Sequence, residues 1–402
     1  MKIGIIREGK VPPDKRVPFT PRQLADLQNT FQNQLSFVVE KSAVRCYTDQ
    51  EYLDAGIAVV EDISTCDLLM GIKEVPIGQL IPNKRYVFFS HTIKKQANNR
   101  KLLQAVLEKG ISLMDYEILV DEQGARTVAF GKWAGVVGAY NGLWTYGKKS
   151  GLYDLNRAFE CFDQAELTLE LKKVQLPPIK IVVTGAGKVG RGVVEVLEKV
   201  GLKQVSAHDF LHVFYDEAVF TVLATADYNR RKTDGGYDRQ EFYKSPQLYE
   251  SHFLKYAEVS DIFIAAAYWD RRAPRLFELK DIQSEDFNIS VIADITCDVD
   301  GSVPTTFHPT SMADPVYDVD RQTLSEIPAF GKQTSISVMA IDNLPTELPR
   351  DASEDFGNQL IRHFIPELLK SSSKVLDKAS ITKEGDLTIE YIYLQDFVEG
   401  KE

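Results

Sequence analysis

Two side chains able to trade protons near neutral pH close apolar runs in the first third of the chain. Lys73 ends Leu68-Leu69-Met70-Gly71-Ile72-Lys73, and His91 ends Tyr86-Val87-Phe88-Phe89-Ser90-His91. An imidazole titrates near neutrality, and a lysine drawn out of water gives up its proton more readily. If the runs are parallel strands, both groups stand at carboxyl ends, where open α/β sheets hold their ligands. Such a pair suits the proton transfers that accompany a hydride transfer. Without more context, the commoner reading of a lysine before Glu74-Val75-Pro76 is a solvated strand end, and of His91 a loop hydrogen bonder. Arg16 and Arg126 offer planar guanidinium forks for carboxylates, against the commoner reading of each as a surface ion pair.

A second chemistry is written in Gly185-Ala186-Gly187-Lys188-Val189-Gly190. An apolar run, 179–184, precedes it, and a stretch with Val193, Val194, Val196, Leu197 and Val200, closed by Gly201, follows. Strand, G-x-G-x-x-G turn and helix make a dinucleotide fingerprint. The first glycine allows the tight turn, the second lets the pyrophosphate approach the backbone, and the third lets helix pack on strand. N–H groups at the helix start take the phosphates. The expected cofactor-binding residues are therefore Gly185, Gly187, Lys188, Val189 and Gly190. Asp209 ends an expected strand at 204–208, roughly 20 residues on, where an acid binds the ribose hydroxyls. A carboxylate there repels a 2′-phosphate and favours NAD(H). Arg230, Arg231 and Lys232 lie near enough in sequence to keep NADP(H) open. No metal is expected: Asp298-Val299-Asp300-Gly301 hints at a calcium loop, but Thr296 and Phe307 would occupy its first and last ligand positions.

The elements that must carry these residues follow from the alternation of the chain. Strands are expected at 2–6, 36–40, 67–73, 86–90 and 112–116, with helices at 20–30 and 94–109 between them. That pattern argues for a parallel α/β sheet. The segment 134–147, rich in glycine and small apolar residues, reads as a long helix packed closely on a neighbour. A second alternation has strands at 179–184, 204–208, 261–267 and 290–295, with an insertion at 210–256 too long for a simple crossover. Residues 335–341 lead into a helix at 351–371, and 379–393 reads as strand pieces around Glu384-Gly385.

Composition bounds the class. A chain of 402 residues suggests about two domains, and 44% apolar with 26% charged residues is ordinary for a globular protein. A net charge of −11 disfavours a nucleic-acid partner. No apolar run approaches the length of a membrane span. Met1-Lys2-Ile3-Gly4-Ile5-Ile6 lacks a signal-peptide pattern. The scattered Cys46, Cys66, Cys161 and Cys297 read as reduced thiols, so a cytoplasmic location is expected.

Several motifs together carry a resemblance. Gly71-Ile72-Lys73 followed by Phe88-Phe89-Ser90-His91-Thr92-Ile93-Lys94 resembles the saccharopine dehydrogenase (lysine-forming) and alanine dehydrogenase superfamily. Gly124-Ala125-Arg126-Thr127-Val128-Ala129-Phe130-Gly131-Lys132-Trp133-Ala134-Gly135 and Ile341-Asp342-Asn343-Leu344-Pro345 strengthen it. The insertion, with Arg231-Lys232-Thr233-Asp234, Tyr237-Asp238, Pro246 and Tyr249, is similar to the lysine-ketoglutarate reductase half of bifunctional aminoadipic semialdehyde synthases. Tyr268-Trp269 and Pro274-Arg275-Leu276 add to that. The resemblance spans Arg16 to the 379–393 tail, and the second enzyme of the bifunctional proteins is expected to be absent from a chain ending at Glu402.

The resemblance implies an α/β fold of two Rossmann-like domains with parallel sheets and an interdomain active-site cleft. Residues 1–135 with 345–402 would form the substrate domain and 136–344 the dinucleotide-binding domain. It implies Lys73 and His91 as acid–base groups and carboxylate binding by Arg16 and Arg126. Lys94, Glu117 and Asp342 would line the substrate cleft, though Glu117 also reads as a strand cap. The implied substrates are saccharopine, or lysine and 2-oxoglutarate, with NAD(H) or NADP(H). Two other readings stay open: an alanine dehydrogenase-like amino acid dehydrogenase, which shares the lysine and histidine motifs, and a non-catalytic dinucleotide sensor. The oligomeric state is not legible.

Overall fold

A computed structural model gives the fold and describes residues 1–401. The chain divides into two compact units, Met1–Phe130 with Pro349–Glu402, and Gly131–Leu348. In the first unit, β1 (Lys2–Ile5), β2 (Ser36–Glu40), β3 (Ala58–Val60), β4 (Leu68–Met70), β5 (Arg85–Phe88) and β6 (Ser112–Asp115) form one parallel sheet, ordered β3-β2-β1-β4-β5-β6. Apolar residues lie on both faces, as a covered parallel sheet requires. α1 (Pro21–Thr30) begins at Thr20 with a capping box to Gln23 and Pro21 in its first turn, and buries Leu24 and Leu27 in the core on one face. α2 (Ala97–Glu108) buries Leu102, Leu103 and Val106 on the other.

The strand order reverses between β1 and β4. Chain leaving these two strands at their carboxyl ends therefore diverges and opens a crevice, the usual ligand position of such sheets. The strands are shorter than the apolar runs suggested: β4 stops at Met70 and β5 at Phe88, so Lys73 and His91 stand in the turns beyond them.

The second unit opens with α3 (Gly131–Ser150), followed by β7 (Lys180–Thr184) and α4 (Lys188–Val200). The glycines of α3 do what their density suggested. A Cβ on Gly135 would come within 1.9 Å of the Val189 carbonyl, and one on Gly192 within 2.1 Å of the Lys132 carbonyl, so α3 and α4 touch backbone to backbone. An edge between the units at residue 135 would cut α3; the structure starts the second unit at Gly131, where that helix begins.

The next stretch departs from expectation. The strand placed at 204–208 is only β8 (Lys203–Gln204), and the chain then turns into α5 (Ala207–His212), N-capped by Ser206, whose Oγ accepts the Asp209 N–H. The place beside β7 goes to β9 (Val219–Leu223), a run of buried β-formers inside what read as insertion. A ribbon of β10 (Asn229–Arg231) and β11 (Tyr249–Ser251) follows, then β12 (Ile262–Ala265), β13 (Val291–Asp294), β14 (Val316–Asp320), β15 (Ser325–Ile327) and β16 (Ile336–Met339). The main sheet runs β15-β14-β16-β13-β12-β7-β9-β8 and is parallel except for β14 and β15, which extend it antiparallel. Its own crevice lies between β7 and β12.

The chain returns to the first unit through α6 (Pro349–His363), which breaks at Phe364 before a short turn at Ile365–Leu368 containing Pro366. β17 (Thr382–Lys383) and β18 (Asp386–Leu387) pair around Glu384 and Gly385, both at positive φ, as a tight hairpin turn requires.

Candidate active site

The first unit gathers a charged cluster at the carboxyl ends of β1, β4, β5 and β6. Burial and the nearby charge of Arg16 lower the pKa of Lys73 from its ordinary value. Among the described residues its ammonium makes no hydrogen bond and no ion pair closer than 4.0 Å. A desolvated, unpaired amine is a proton acceptor in waiting.

His91 is held from several sides. Its Nδ1 lies 3.1 Å from Glu117 Oε2, and its Nε2 lies 3.9 Å from Glu74 Oε1. Lys94 Nζ takes the other Glu117 oxygen at 3.0 Å, and Lys10 Nζ takes Glu74 Oε2 at 2.7 Å. Burial alone would raise the Glu117 carboxyl, but the His91 and Lys94 bonds hold it down at about 2. The backbone is fixed as well: the buried Asp115 carboxylate accepts the Ser90 N–H at 2.9 Å and the Glu117 N–H at 2.7 Å, tying the two turns together.

Arg16 is no surface ion pair. Its side chain is 3% exposed, donates from Nε and Nη2 to Asp14 at 3.0 and 2.6 Å, and lies 4.1 Å from the centre of the Phe130 ring. Arg126 donates from Nε to the Val128 carbonyl at 3.1 Å and lies 5.2 Å from the Phe89 ring centre. Lys73, His91, Arg16, Lys94, Glu117 and Arg126 all belong to the first unit; Asp342 belongs to the second, exposed, its N–H on the Thr310 carbonyl at 3.1 Å.

The second unit carries the glycine turn between β7 and α4. Gly185 has φ 98°, and a Cβ there would lie 2.8 Å from the Ala266 backbone. A Cβ on Gly190 would strike the Gly185 carbonyl at 1.8 Å, while Gly187 faces open space. Gly187 also N-caps α4 without a side-chain hydrogen bond, at the positive end of the helix dipole. Gly185 and Gly190 thus sit where a side chain has no room, and Gly187 borders open space. Lys188 and Val189 form the first turn of α4. Near the fingerprint, a cavity of about 190 Å³ lies among Thr184, Thr225, Tyr228, Phe242, Tyr243 and Trp269. The buried Thr184 hydroxyl has no partner among the described residues.

Asp209 is not brought to this edge. It sits on α5 after β8, with β9 between β8 and β7. The acid that follows the strand beside β7 is Asp227, whose Oδ2 accepts the Ala224 N–H at 2.7 Å. Sequence reasoning missed it because β9 lay within the presumed insertion, although Val219-Phe220-Thr221-Val222-Leu223 has strand composition. It also missed Glu8, which follows the first apolar run as Lys73 follows its own. Ile72 N–H donates to Glu8 Oε1 at 2.6 Å and Lys73 N–H to Oε2 at 3.0 Å.

An α/β unit with a glycine turn between strand and helix, in one chain with an α/β unit carrying a lysine–histidine cluster, defines a class of protein, and comparisons agree. The family model described as alanine dehydrogenase/PNT, N-terminal domain, matches residues 4–137, and that of the C-terminal domain matches residues 156–390. The chain belongs to the alanine dehydrogenase/PNT family. It is 31% identical to the mitochondrial alpha-aminoadipic semialdehyde synthase of Mus musculus, across 97% of this chain and 47% of that protein. The chain thus spans about half the length of the mammalian relatives it matches. It is 26% identical to a saccharopine dehydrogenase (NAD(+), L-lysine-forming) of Yarrowia lipolytica, covering 88% and 87% of the two chains. The fold is shared with an L-alanine dehydrogenase, at TM-score 0.68 and 18% identity over 100% of both chains.

Proposed function

We propose that this protein is a nicotinamide dinucleotide-dependent oxidoreductase that interconverts saccharopine with lysine and 2-oxoglutarate. The observation that carries the reading is the desolvated, unpaired Lys73 one strand away from a His91 oriented by Glu117, at the crevice of the first unit's sheet. Names of relatives supply the substrate class, and the fingerprint cradle of the second unit supplies the cofactor class.

In the reductive direction the ε-amine of lysine adds to the keto carbon of 2-oxoglutarate. The oxygen takes up the proton that the added nitrogen loses, giving the carbinolamine, whose hydroxyl must gain a further proton before water leaves and a protonated imine forms. Lys73, held toward its neutral form, accepts the first proton, and His91, with Glu117 on Nδ1, delivers the second from Nε2. The reduced nicotinamide supplies the hydride that turns the imine into the secondary amine of saccharopine. Arg16, Arg126 and Lys94 provide cationic partners for the substrate carboxylates.

Asp209 no longer argues for NAD(H). Asp227, following the strand beside β7, is the carboxylate for the ribose hydroxyls and favours NAD(H) over NADP(H). The aromatic cavity beside Thr184 suits the adenine ring by stacking. The test is the rate of reduced-cofactor oxidation with lysine plus 2-oxoglutarate against ammonia plus pyruvate, each with NADH and with NADPH. Turnover only with ammonia and pyruvate would move the protein to the alanine dehydrogenase activity, and no turnover with either pair would leave the dinucleotide-sensor reading.

A further inference from the structure

The carboxyl ends of β1 and β4 diverge at the strand reversal, and the backbone there loses its partners. The ladder between the two strands ends with the Ile6 N–H on the Met70 carbonyl at 3.0 Å. Beyond it the chain after β1 turns away through Gly9, Pro12 and Pro13, while the chain after β4 continues along β5, with the Gly71 N–H on Val87 O and the Phe89 N–H on Ile72 O, each at 3.0 Å. The amides of Ile72 and Lys73 would then have no carbonyl from β1 to meet.

We propose that Glu8 is a positioning residue: its carboxyl group clamps the Ile72 and Lys73 amides and so fixes where the Lys73 amine stands in the crevice. The two bonds, 2.6 Å to Oε1 and 3.0 Å to Oε2, replace the missing ladder and use both oxygens. Gly71 leaves the room this needs, since a Cβ there would lie 2.5 Å from Ile6 Cδ1 and 3.3 Å from Glu8 Oε1. The clamp reaches His91 as well, because Ile72 passes its carbonyl to Phe89, two residues before His91. Burial, with Asp14 adding to it, lifts the Glu8 carboxyl to about 8 against the pull of the two amides and of Arg16. Glu8 is half-buried with both oxygens engaged by backbone amides, unlike a solvated surface carboxylate. The role rests on Lys73 being a proton-transfer group.

Glu8→Ala and Glu8→Gln test it, with lysine, 2-oxoglutarate and NADH as substrates and amide hydrogen exchange over residues 70–75 as a second readout. Glu8→Ala should lower kcat on the order of 100-fold, the scale of a reacting group displaced by about 1 Å, while KM for NADH stays within about twofold. Exchange at Ile72 and Lys73 should quicken without a comparable change elsewhere. Glu8→Gln keeps the shape and one acceptor, so it should recover part of kcat; it also carries the test if Glu8→Ala does not fold. Wild-type kcat in the variant that folds, or unchanged exchange at the two amides, would overturn the clamp. Equal loss of kcat, NADH binding and thermal stability in both variants would make Glu8 a general structural residue and overturn it too. If the wild-type chain turns over neither substrate pair, the functional reading fails by itself, and exchange alone decides the clamp.

Discussion

His91 holds φ 55°, a left-handed conformation uncommon outside glycine, and the Asp115 carboxylate holds the Ser90 N–H just before it. Its ring stacks on Phe89 with centroids 6.2 Å apart, so the imidazole has little freedom. We expect Lys73→Met and His91→Gln each to cut turnover by roughly 100-fold or more, the scale of removing an acid–base group, with cofactor affinity little changed. The double variant should lose less than the sum of the two free energies, because groups acting as a unit are not additive. Full activity in either single variant would end the proposed mechanism. Glu117 makes a separate prediction. Its folded pKa of about 2 lies below the ordinary 4.5, so it stabilises the fold above about pH 4.5 and that contribution is lost as pH falls toward 2. Urea midpoints measured over this window should fall less steeply for Glu117→Gln than for the wild type. Lys73 and His91 were legible in the sequence because each closes an apolar run. Glu8, Glu74 and Asp115 were not, because a carboxylate after a strand reads as solvated until the fold encloses it.

At the scale of elements, strand, glycine turn and helix lie where the sequence placed them, since three glycines between an apolar strand and an amphipathic helix have few other solutions. Gly187→Val would put a branched side chain into the open space that the pyrophosphate needs, and dinucleotide affinity measured by cofactor fluorescence should drop sharply while the fold survives. Gly135→Ala, by contrast, forces a methyl group against the Val189 carbonyl between α3 and α4. It should cost roughly 1–3 kcal/mol of stability, read as a lower urea midpoint. The strand beside β7 was the main misreading. Ser206 caps a helix where a strand was expected, and β9 takes the vacated place. Cofactor preference tests the correction: Asp227→Asn should narrow the preference for NADH over NADPH, and Asp209→Asn should leave it unchanged. The reverse result would restore Asp209 to the ribose site.

At the scale of the whole molecule, two units with separate cores divide the chemistry. The first holds Lys73, His91, Arg16 and Arg126, and the second holds the Gly185–Gly190 turn. The antiparallel β14 and β15 were beyond sequence reasoning, because their runs alternate with charged residues and carry no helix between them. Among the described residues no helix is long and apolar enough to cross a membrane, and no group of histidine, cysteine or acidic residues could hold a metal ion. The four cysteines are unpaired. The central claim is a hydride delivered to the imine of lysine and 2-oxoglutarate, and isotope transfer tests it most directly. The protein would be incubated with lysine, 2-oxoglutarate and NADH dideuterated at C4 of the nicotinamide, and the product read by mass spectrometry. The account predicts saccharopine carrying one deuterium on the former keto carbon of 2-oxoglutarate, formed at a rate that collapses in Lys73→Met. Contradiction would be the absence of labelled saccharopine, with deuterium entering alanine when ammonia and pyruvate are supplied instead.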